Sequence, residues 1–254
     1  MDIYKEMTAM GCFTLEDIVR VTGSESSAAW QIKKYLGQGY IERVRRDLYV
    51  AISLETACPV LNRYQIATKA ADDACISHHS AFEFYGYGNQ VFHEIYFISG
   101  KRVRPFSYDG YDFRPLSRKG ESGIVETDSG VRITSIERTV IDSISDFEKV
   151  TGLEEILRCI DLIPSLDYNK LLEALEMHGH EQLYQKAGYI LESFNDNLNL
   201  PEEFFDECVK RSSDSKTYLF DKQDNFIYHP KWKLYAPANL REVIDKGVPE
   251  IEEI

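Results

Sequence analysis

The first fifty residues constrain the fold more than any other part of the chain. Thr14 and Asp17 have the spacing of a capping box and predict the start of a short helix, which Gly23 would end. Ser24 is suited to cap a second helix, and residues 41–50 follow as two short β-type segments. A helix, a tight turn, a second helix and a basic ribbon, in this order, predict a winged helix-turn-helix.

The second of these helices has an apolar stripe and a polar face. Ala29, Ile32 and Leu36 repeat at three- and four-residue spacing, so we expect them to face the core. The remaining faces and the ribbon carry polar and basic side chains suited to base edges and phosphates. The predicted DNA-binding residues are Ser26, Ser27, Trp30, Gln31, Lys33, Lys34, Arg43, Arg45 and Arg46. Two alternatives stay open: Trp30 packs against the first helix instead, or the whole segment is a helical hairpin with a solvated charged turn.

Composition bounds the class of protein. The chain has 254 residues, of which 43% are hydrophobic, which is typical of two or three globular domains. No apolar run approaches a membrane span, and the polar start of the chain does not have the pattern of a signal peptide. The five cysteines are scattered, so neither a zinc motif nor a disulfide framework is indicated. We therefore expect a cytoplasmic protein that needs no cofactor.

The net charge of −13 is unevenly distributed along the chain. Residues 1–119 hold 15 Lys and Arg against 14 Asp and Glu, whereas residues 120–254 hold 14 against 28. Phosphates would repel the second half at low salt, so we expect it to face protein or solvent rather than DNA.

The rest of the chain is predicted to be a mixed α/β region followed by a mostly helical one, an α+β fold overall. We expect a helix over 77–86, a buried strand over 91–98 and two antiparallel hairpins, with turns at Asp109-Gly110 and at 128–130. Thr134 and Glu137 have the spacing of another capping box. The predicted domains are 1–53, 54–150 and 151–254, with 54–254 as one domain in the alternative division.

A second basic cluster coincides with the first predicted hairpin. Its members are Lys101, Arg102, Arg104, Arg114, Arg118 and Lys119. Charged side chains often protect an exposed sheet edge, and this is one interpretation of the cluster. The other is an interaction with the DNA backbone or with an acidic partner.

Few residues have the pattern of a catalytic site. His78 and His79 are adjacent on a predicted helix and point about 100° apart, so we expect one to be buried, the other to be exposed, and neither to bind a metal. Arg138 and Asp142 are interpreted as an i,i+4 pair that contributes a few tenths of a kcal/mol. No nucleophile elbow and no phosphate loop is present, so we expect no enzymatic activity.

Four segments resemble the AbiEi family, the antitoxins of bacterial type IV toxin–antitoxin and abortive phage infection systems. Residues 39–50 are similar to the family's wing, 76–86 to its Ile-Ser-x-x-Ser-Ala helix, and 134–142 to its Thr-x-x-Glu-Arg-Thr helix. Residues 186–192 with 232–237 resemble its C-terminal region. Asp47 stands where the family has a wing-tip glycine, and aspartate tolerates the left-handed conformation that this turn requires.

The resemblance implies a transcriptional autorepressor that binds inverted repeats of double-stranded DNA in its own promoter. It also implies that the C-terminal region counters a co-transcribed nucleotidyltransferase-like toxin without forming a stable complex with it. The alternative is a protein-interaction or nuclease-like enzymatic module that carries a vestigial winged helix. A gene for a nucleotidyltransferase downstream would favour the first interpretation.

Overall fold

The computed structural model describes residues 2–246, except for the side chains of residues 245 and 246. The chain folds into two compact units. Unit 1 consists of Met1–Ile76, His93–Ser117 and Glu126–Arg132, and unit 2 of Ser77–Phe92, Arg118–Val125 and Ile133–Ile254. This division does not coincide with the predicted boundaries after 53 and near 150, because the chain passes between the units several times. Residues 247–254 of the predicted C-terminal region lie outside the described residues.

Unit 1 begins with three helices and a small antiparallel sheet. The elements are α1 (Ile3–Met10), β1 (Cys12–Phe13), α2 (Leu15–Thr22), α3 (Glu25–Gly37), β2 (Ile41–Arg45) and β3 (Leu48–Ala51). The strand order is β1-β3-β2, with Cys12 opposite Val50 and Glu42 also opposite Val50 from the other side. The sequence did not predict α1 and β1, and they complete the small core of this segment, which contains Met7, Phe13 and Ile18.

The predicted caps of α2 and α3 are confirmed. The Thr14 hydroxyl accepts a hydrogen bond from the Asp17 backbone at 3.3 Å, and the Asp17 carboxylate accepts one from the Thr14 backbone at 2.8 Å. Gly23 ends α2 with φ of 72°, a left-handed conformation in which glycine has no Cβ to strain. The Ser24 hydroxyl then accepts a bond from the Ser27 backbone and starts α3.

The predicted core face of α3 is wrong in two of its three positions. Ala28, Ile32 and Tyr35 are buried, whereas Ala29 is exposed and Leu36 is 37% exposed. Both stripes share Ile32, so helical spacing alone does not choose between them. Tyr35 faces the core because its ring lies 6.0 Å from the ring of Tyr4 on α1 and 6.0 Å from that of Tyr40.

The rest of unit 1 is built around a larger mixed sheet. Its elements are α4 (Arg63–Thr68), β4 (Cys75–Ile76), β5 (Glu94–Ser99), β6 (Phe106–Tyr108), β7 (Tyr111–Ser117), β8 (Ile124–Glu126) and β9 (Arg132–Thr134). The strand order is β6-β7-β5-β4-β9-β8, and the division between the units passes through β8 and β9.

Both predicted hairpins form in this sheet. Asp109 and Gly110 have φ of 50° and 77°, as a type I′ turn requires. The pairing of β5 with β7 is parallel, which the sequence did not predict. The predicted strand start at Val91 is wrong: the strand begins at Glu94, and Val91 is 72% exposed.

Unit 2 is mostly helical. Its elements are α5 (His78–Tyr85), α6 (Ile136–Asp146), a 3-10 turn (Phe147–Lys149), α7 (Gly152–Asp161), α8 (Tyr168–His178), α9 (Glu181–Ser193), α10 (Asn195–Leu198), α11 (Glu202–Arg211), β10 (Thr217–Tyr218), β11 (Ile227–His229), β12 (Leu234–Ala236) and α12 (Leu240–Lys246). The predicted helices agree with these bounds to within two residues.

Trp232 packs into the core against α9, where a Cβ on Gly188 would lie 2.1 Å from the indole ring. The mixed α/β content and the antiparallel pairs confirm the predicted α+β class at this level.

Unit 2 buries several charged side chains. Arg138 and Asp142 are 1% and 3% exposed, and the Asp142 carboxylate also accepts a hydrogen bond from Nε2 of His178 at 2.7 Å. The predicted i,i+4 pair of Arg138 and Asp142 is present, with Nε of Arg138 3.2 Å from the Asp142 carboxylate, but it is buried and does not have the setting of a pair that contributes only a few tenths of a kcal/mol. The second predicted capping box is wrong: Ser135 caps α6, and the buried Glu137 carboxylate accepts a bond from the Asp167 backbone at 3.3 Å.

His78 and His79 are also both buried, contrary to the expectation that one would be exposed. The helix that carries them packs against α6, so neither side of this turn meets solvent. Within the described residues, every helix is too short or too polar to cross a bilayer.

Candidate nucleic-acid interface

Helix α3 exposes a face that carries two lysines, a serine and a tryptophan. Burial of Ala28, Ile32 and Tyr35 leaves the opposite side exposed. The exposed residues of this helix are Glu25, Ser26, Ala29, Trp30, Lys33, Lys34, Leu36 and Gly37. Successive side chains of a helix lie 100° apart, so Ser26, Trp30 and Lys33 share one face. Four of the nine predicted DNA-binding residues thus lie together on this helix.

Trp30 is the largest exposed group on this face. Its side chain is 59% exposed, so the alternative in which it packs against the first helix is wrong. Nζ of Lys34 lies 5.4 Å from the centre of the Trp30 ring and 5.2 Å from that of Tyr35. A cation over an aromatic ring at this distance is held by the ring quadrupole. The indole and the ammonium group therefore form one amphipathic platform.

Two of the predicted base-contacting residues are only partly accessible. Gln31 is half-buried, and its side-chain oxygen is inaccessible to solvent. Ser27 is half-buried, and its backbone N–H binds the Ser24 cap. Ser26, one residue earlier, is exposed and its hydroxyl lies 2.9 Å from that of Ser24. Among the predicted base-contacting side chains that carry a hydroxyl or an amide group, Ser26 is the most accessible.

The ribbon of β2 and β3 carries two exposed arginines. Arg43 and Arg46 are exposed, and Arg43 Nε donates to the Arg45 carbonyl at 3.3 Å. Asp47 forms the tip with φ of 55°, so the left-handed conformation predicted for it is confirmed. Its carboxylate accepts a hydrogen bond from the backbone N–H of Leu15 at 3.1 Å, at the start of α2. A glycine at this position would lack that hydrogen bond, and an anion is favoured at a helix N-terminus.

Arg45 is placed differently from the other two arginines. Its guanidinium donates to the Ala70 carbonyl and lies 5.8 Å from the centre of the Phe106 ring. Arg45 is half-buried by these interactions inside unit 1. This placement does not support its predicted role in binding phosphate. Both partners are distant in sequence, so no local signal identifies them.

The second basic cluster is divided. Lys101, Arg102, Arg104 and Arg114 belong to unit 1, and Arg118 and Lys119 to unit 2. Lys101 pairs with Asp72 at 2.6 Å, and Arg114 with Asp112 at 3.0 Å.

Other members of this cluster differ in their exposure. Arg118 pairs with Glu121 at 2.5 Å, with its side chain only 12% exposed. Arg102, Arg104 and Lys119 remain exposed. The cluster therefore has fewer accessible cations than its sequence predicts. Strand β6 beside it lies at the edge of the sheet, the position at which charged side chains often protect a strand.

The comparisons with known proteins give a fold and no family. No family model matches the chain, and no curated protein matches it. Among solved structures, the crystal structure of the Rv2827c protein from Mycobacterium tuberculosis superposes with a TM-score of 0.63. The match covers 96% of this chain and 94% of that one, at 13% sequence identity. The likeness extends over nearly the full length of both chains and concerns the fold alone.

Proposed function

We propose that residues 3–51 are a winged helix that binds double-stranded DNA, with α3 as the recognition helix. The observation that carries the proposal is the exposed face of α3, on which Ser26, Trp30 and Lys33 lie together. Recognition helices contact base edges with their N-terminal residues, and Ser26 is in the first turn of α3. Lys33 and Lys34, farther along the helix, are placed to contact phosphates.

The ribbon supplies the second DNA-binding element. Arg43 and Arg46 are exposed beside the tip, which Asp47 fixes to the start of α2. This bond joins the tip of the ribbon to the start of α2, and in our proposal the ribbon and α3 contact the DNA together. In our proposal Arg43 and Arg46 neutralise phosphates, and Arg45 has a structural role within unit 1.

The charge distribution agrees with this assignment. Unit 1 holds 14 Lys and Arg against 15 Asp and Glu, and unit 2 holds 15 against 27. Phosphate contacts dominate the affinity for DNA, so a net charge of −12 disfavours unit 2 as a DNA-binding surface. Unit 1 is close to neutral, and five of its 14 Lys and Arg lie on α3 and the ribbon.

We further propose, on the resemblance to AbiEi antitoxins, that the protein represses its own promoter and counters a co-transcribed nucleotidyltransferase-like toxin. The segments that carry the resemblance outside the winged helix lie mainly in unit 2, where the 134–142 segment forms the start and middle of α6. In this proposal unit 2 supplies the antitoxin activity, in the cytoplasm and without a stable complex with the toxin.

The DNA-binding proposal is tested by fluorescence anisotropy with the DNA upstream of the coding sequence across a salt series. Removing one phosphate-binding cation should lower the slope of log K against log salt by roughly 0.9, so Lys33→Ala with Arg46→Ala should lower it by roughly 1.8. Lys210→Ala is the matched control, since its ammonium group is exposed on α11 of unit 2. Equal slopes for wild type and the double variant would show that this face does not bind DNA.

The antitoxin proposal is tested with the same double variant. Expressed from a foreign promoter beside the neighbouring toxin gene, it should rescue growth as wild type does while failing to repress a reporter under its own promoter. Loss of both rescue and repression, with the variant folded by circular dichroism, would contradict the separation of the two roles. A genome without a nucleotidyltransferase gene beside this one would count against the antitoxin role itself.

A further inference from the structure

Unit 2 contains a buried cluster of metal-ligating side chains that the proposed function does not use. His79 on α5 and Glu155 and Cys159 on α7 are 0%, 4% and 0% exposed. Nε2 of His79 lies 2.9 Å from Oε1 of Glu155, and Sγ of Cys159 lies 3.6 Å from the same oxygen. All three donor atoms lie within 4.8 Å of one another. One nitrogen, one oxygen and one sulfur are therefore close enough to one another to bind a single ion.

The surrounding groups orient each of these donors. Nδ1 of His79 faces the Glu83 carboxylate at 3.1 Å, and the Phe92 backbone N–H donates to that carboxylate at 2.9 Å. A carboxylate on the far nitrogen of an imidazole is the usual neighbour of a metal-bound histidine, because it fixes the tautomer and the ring plane. Nε2 of His79 is the nitrogen directed at Glu155, to which it donates a hydrogen bond when no metal is bound.

The second oxygen of Glu155 is also held in place. Oε2 accepts hydrogen bonds from the side-chain amides of Asn89 at 3.3 Å and Gln90 at 3.1 Å. These two amides bind the oxygen that His79 and Cys159 do not contact. Oε1 is thus the oxygen presented to the other two donor atoms.

The Cys159 thiol is buried, and it donates a weak hydrogen bond to Oε1 of Glu155, which lies 3.6 Å from the sulfur. A divalent cation beside it would displace that proton, since metal-bound cysteine is a thiolate.

We propose that His79, Glu155 and Cys159 bind a zinc ion through Nε2, Oε1 and Sγ. Mixed nitrogen, oxygen and sulfur ligands suit zinc, whereas magnesium and calcium take oxygen ligands. Three protein ligands and one water is a coordination that zinc adopts in proteins. One clue is present in the sequence: Glu155 and Cys159 are four residues apart and so lie on one face of α7.

Cobalt(II) is the probe that reports the sulfur ligand directly. The full-length chain is stripped with a chelator, desalted and titrated with Co²⁺, and a sulfur-to-cobalt charge-transfer band should grow to about one ion per chain. Zn²⁺ should abolish the band by displacement and raise the thermal midpoint of unfolding. Cys159→Ser should lose the band, and Cys208→Ser, which alters another buried thiol, should keep it.

A second variant separates coordination from folding. Glu83→Gln retains the shape of the side chain and should weaken zinc affinity by roughly 10- to 100-fold, because it removes the charge behind His79. Absence of the cobalt band in wild type would overturn the proposal and leave a hydrogen-bonded carboxylate cluster. So would equal zinc affinity in wild type, Cys159→Ser and Glu83→Gln.

Discussion

Units 1 and 2 use the same ionisable residue types in opposite ways. On α3 and the ribbon of unit 1, Lys33 and Arg46 extend into solvent from a small apolar core. In unit 2, Arg138, Asp142 and His178 are enclosed between helices and bind one another. A solvated cation contributes little to folding and remains available to a ligand. A buried charge is committed to its partners, because leaving it alone in the interior is costly.

We expect the largest decrease in the free energy of unfolding from Asp142→Ala. This change leaves the Arg138 guanidinium and the His178 imidazole buried without their shared carboxylate, so the free energy of unfolding should fall by about 3–5 kcal/mol. Chemical denaturation of the full chain measures it. Glu16→Ala is the control, since its pair with Arg20 is exposed and should cost no more than about 1 kcal/mol. Similar decreases in the two variants would remove the distinction between the units.

Acid should destabilise unit 2 in a defined direction. Burial raises the pKa of Glu155, but hydrogen bonds from Gln90, His79 and Asn89 outweigh it, and the pKa lies below its ordinary value of 4.5. For Asp142, burial is likewise outweighed by the His178 hydrogen bond and the neighbouring cations, and its pKa lies below 3.8.

A carboxylate whose pKa is lower in the folded state than in the unfolded state stabilises the fold at pH values above its unfolded-state pKa. That stability is lost as the pH falls through the folded-state pKa. We therefore expect the free energy of unfolding to decline as the pH falls below about 4.5, with each unit of pKa difference worth about 1.4 kcal/mol. Denaturation at a series of pH values measures this, and a flat profile from pH 5 to pH 3 would contradict it.

Arg45 and Arg46 are neighbours in sequence, but Arg45 should behave as a partnered charge and Arg46 as a solvated one. Arg45→Ala removes a charged hydrogen bond to the Ala70 carbonyl and should lower the free energy of unfolding by about 1.5–3 kcal/mol. It should leave the salt slope of DNA binding unchanged. Arg46→Ala should leave stability within about 0.5 kcal/mol and reduce the slope by roughly 0.9. If instead Arg46→Ala lowered stability and Arg45→Ala reduced the salt slope, the roles assigned to the two arginines would be exchanged.

Trp30 should give the smallest change in stability and a direct optical signal. Its side chain is 59% exposed, whereas Trp232 is 2% exposed, so DNA on α3 should quench the fluorescence of Trp30 alone. Trp30→Phe should abolish the quenching and shift the free energy of unfolding by no more than about 0.5 kcal/mol. Quenching that persists in this variant would place the DNA elsewhere.

Local signals in the sequence predicted local structure well. Thr14 with Asp17, Gly23, and Asp109-Gly110 each act within a few residues, so their caps and turns were identified from the chain alone. The helices of unit 2 were found for the same reason, since their apolar residues repeat at helical spacing. The sequence also predicted which helix and ribbon carry the exposed cations.

The sequence by itself therefore determined the helices and strands whose patterns are local, the caps of α2 and α3, and the presence of basic residues on α3 and the ribbon. Only the tertiary structure decided that Tyr35 rather than Leu36 faces the core, that Arg45 is engaged by Ala70 and Phe106, and that His79 meets Glu155. Caps and turns depend on neighbours within about four residues. Burial depends on elements that approach from distant parts of the chain, and no short pattern records which side chain they will cover.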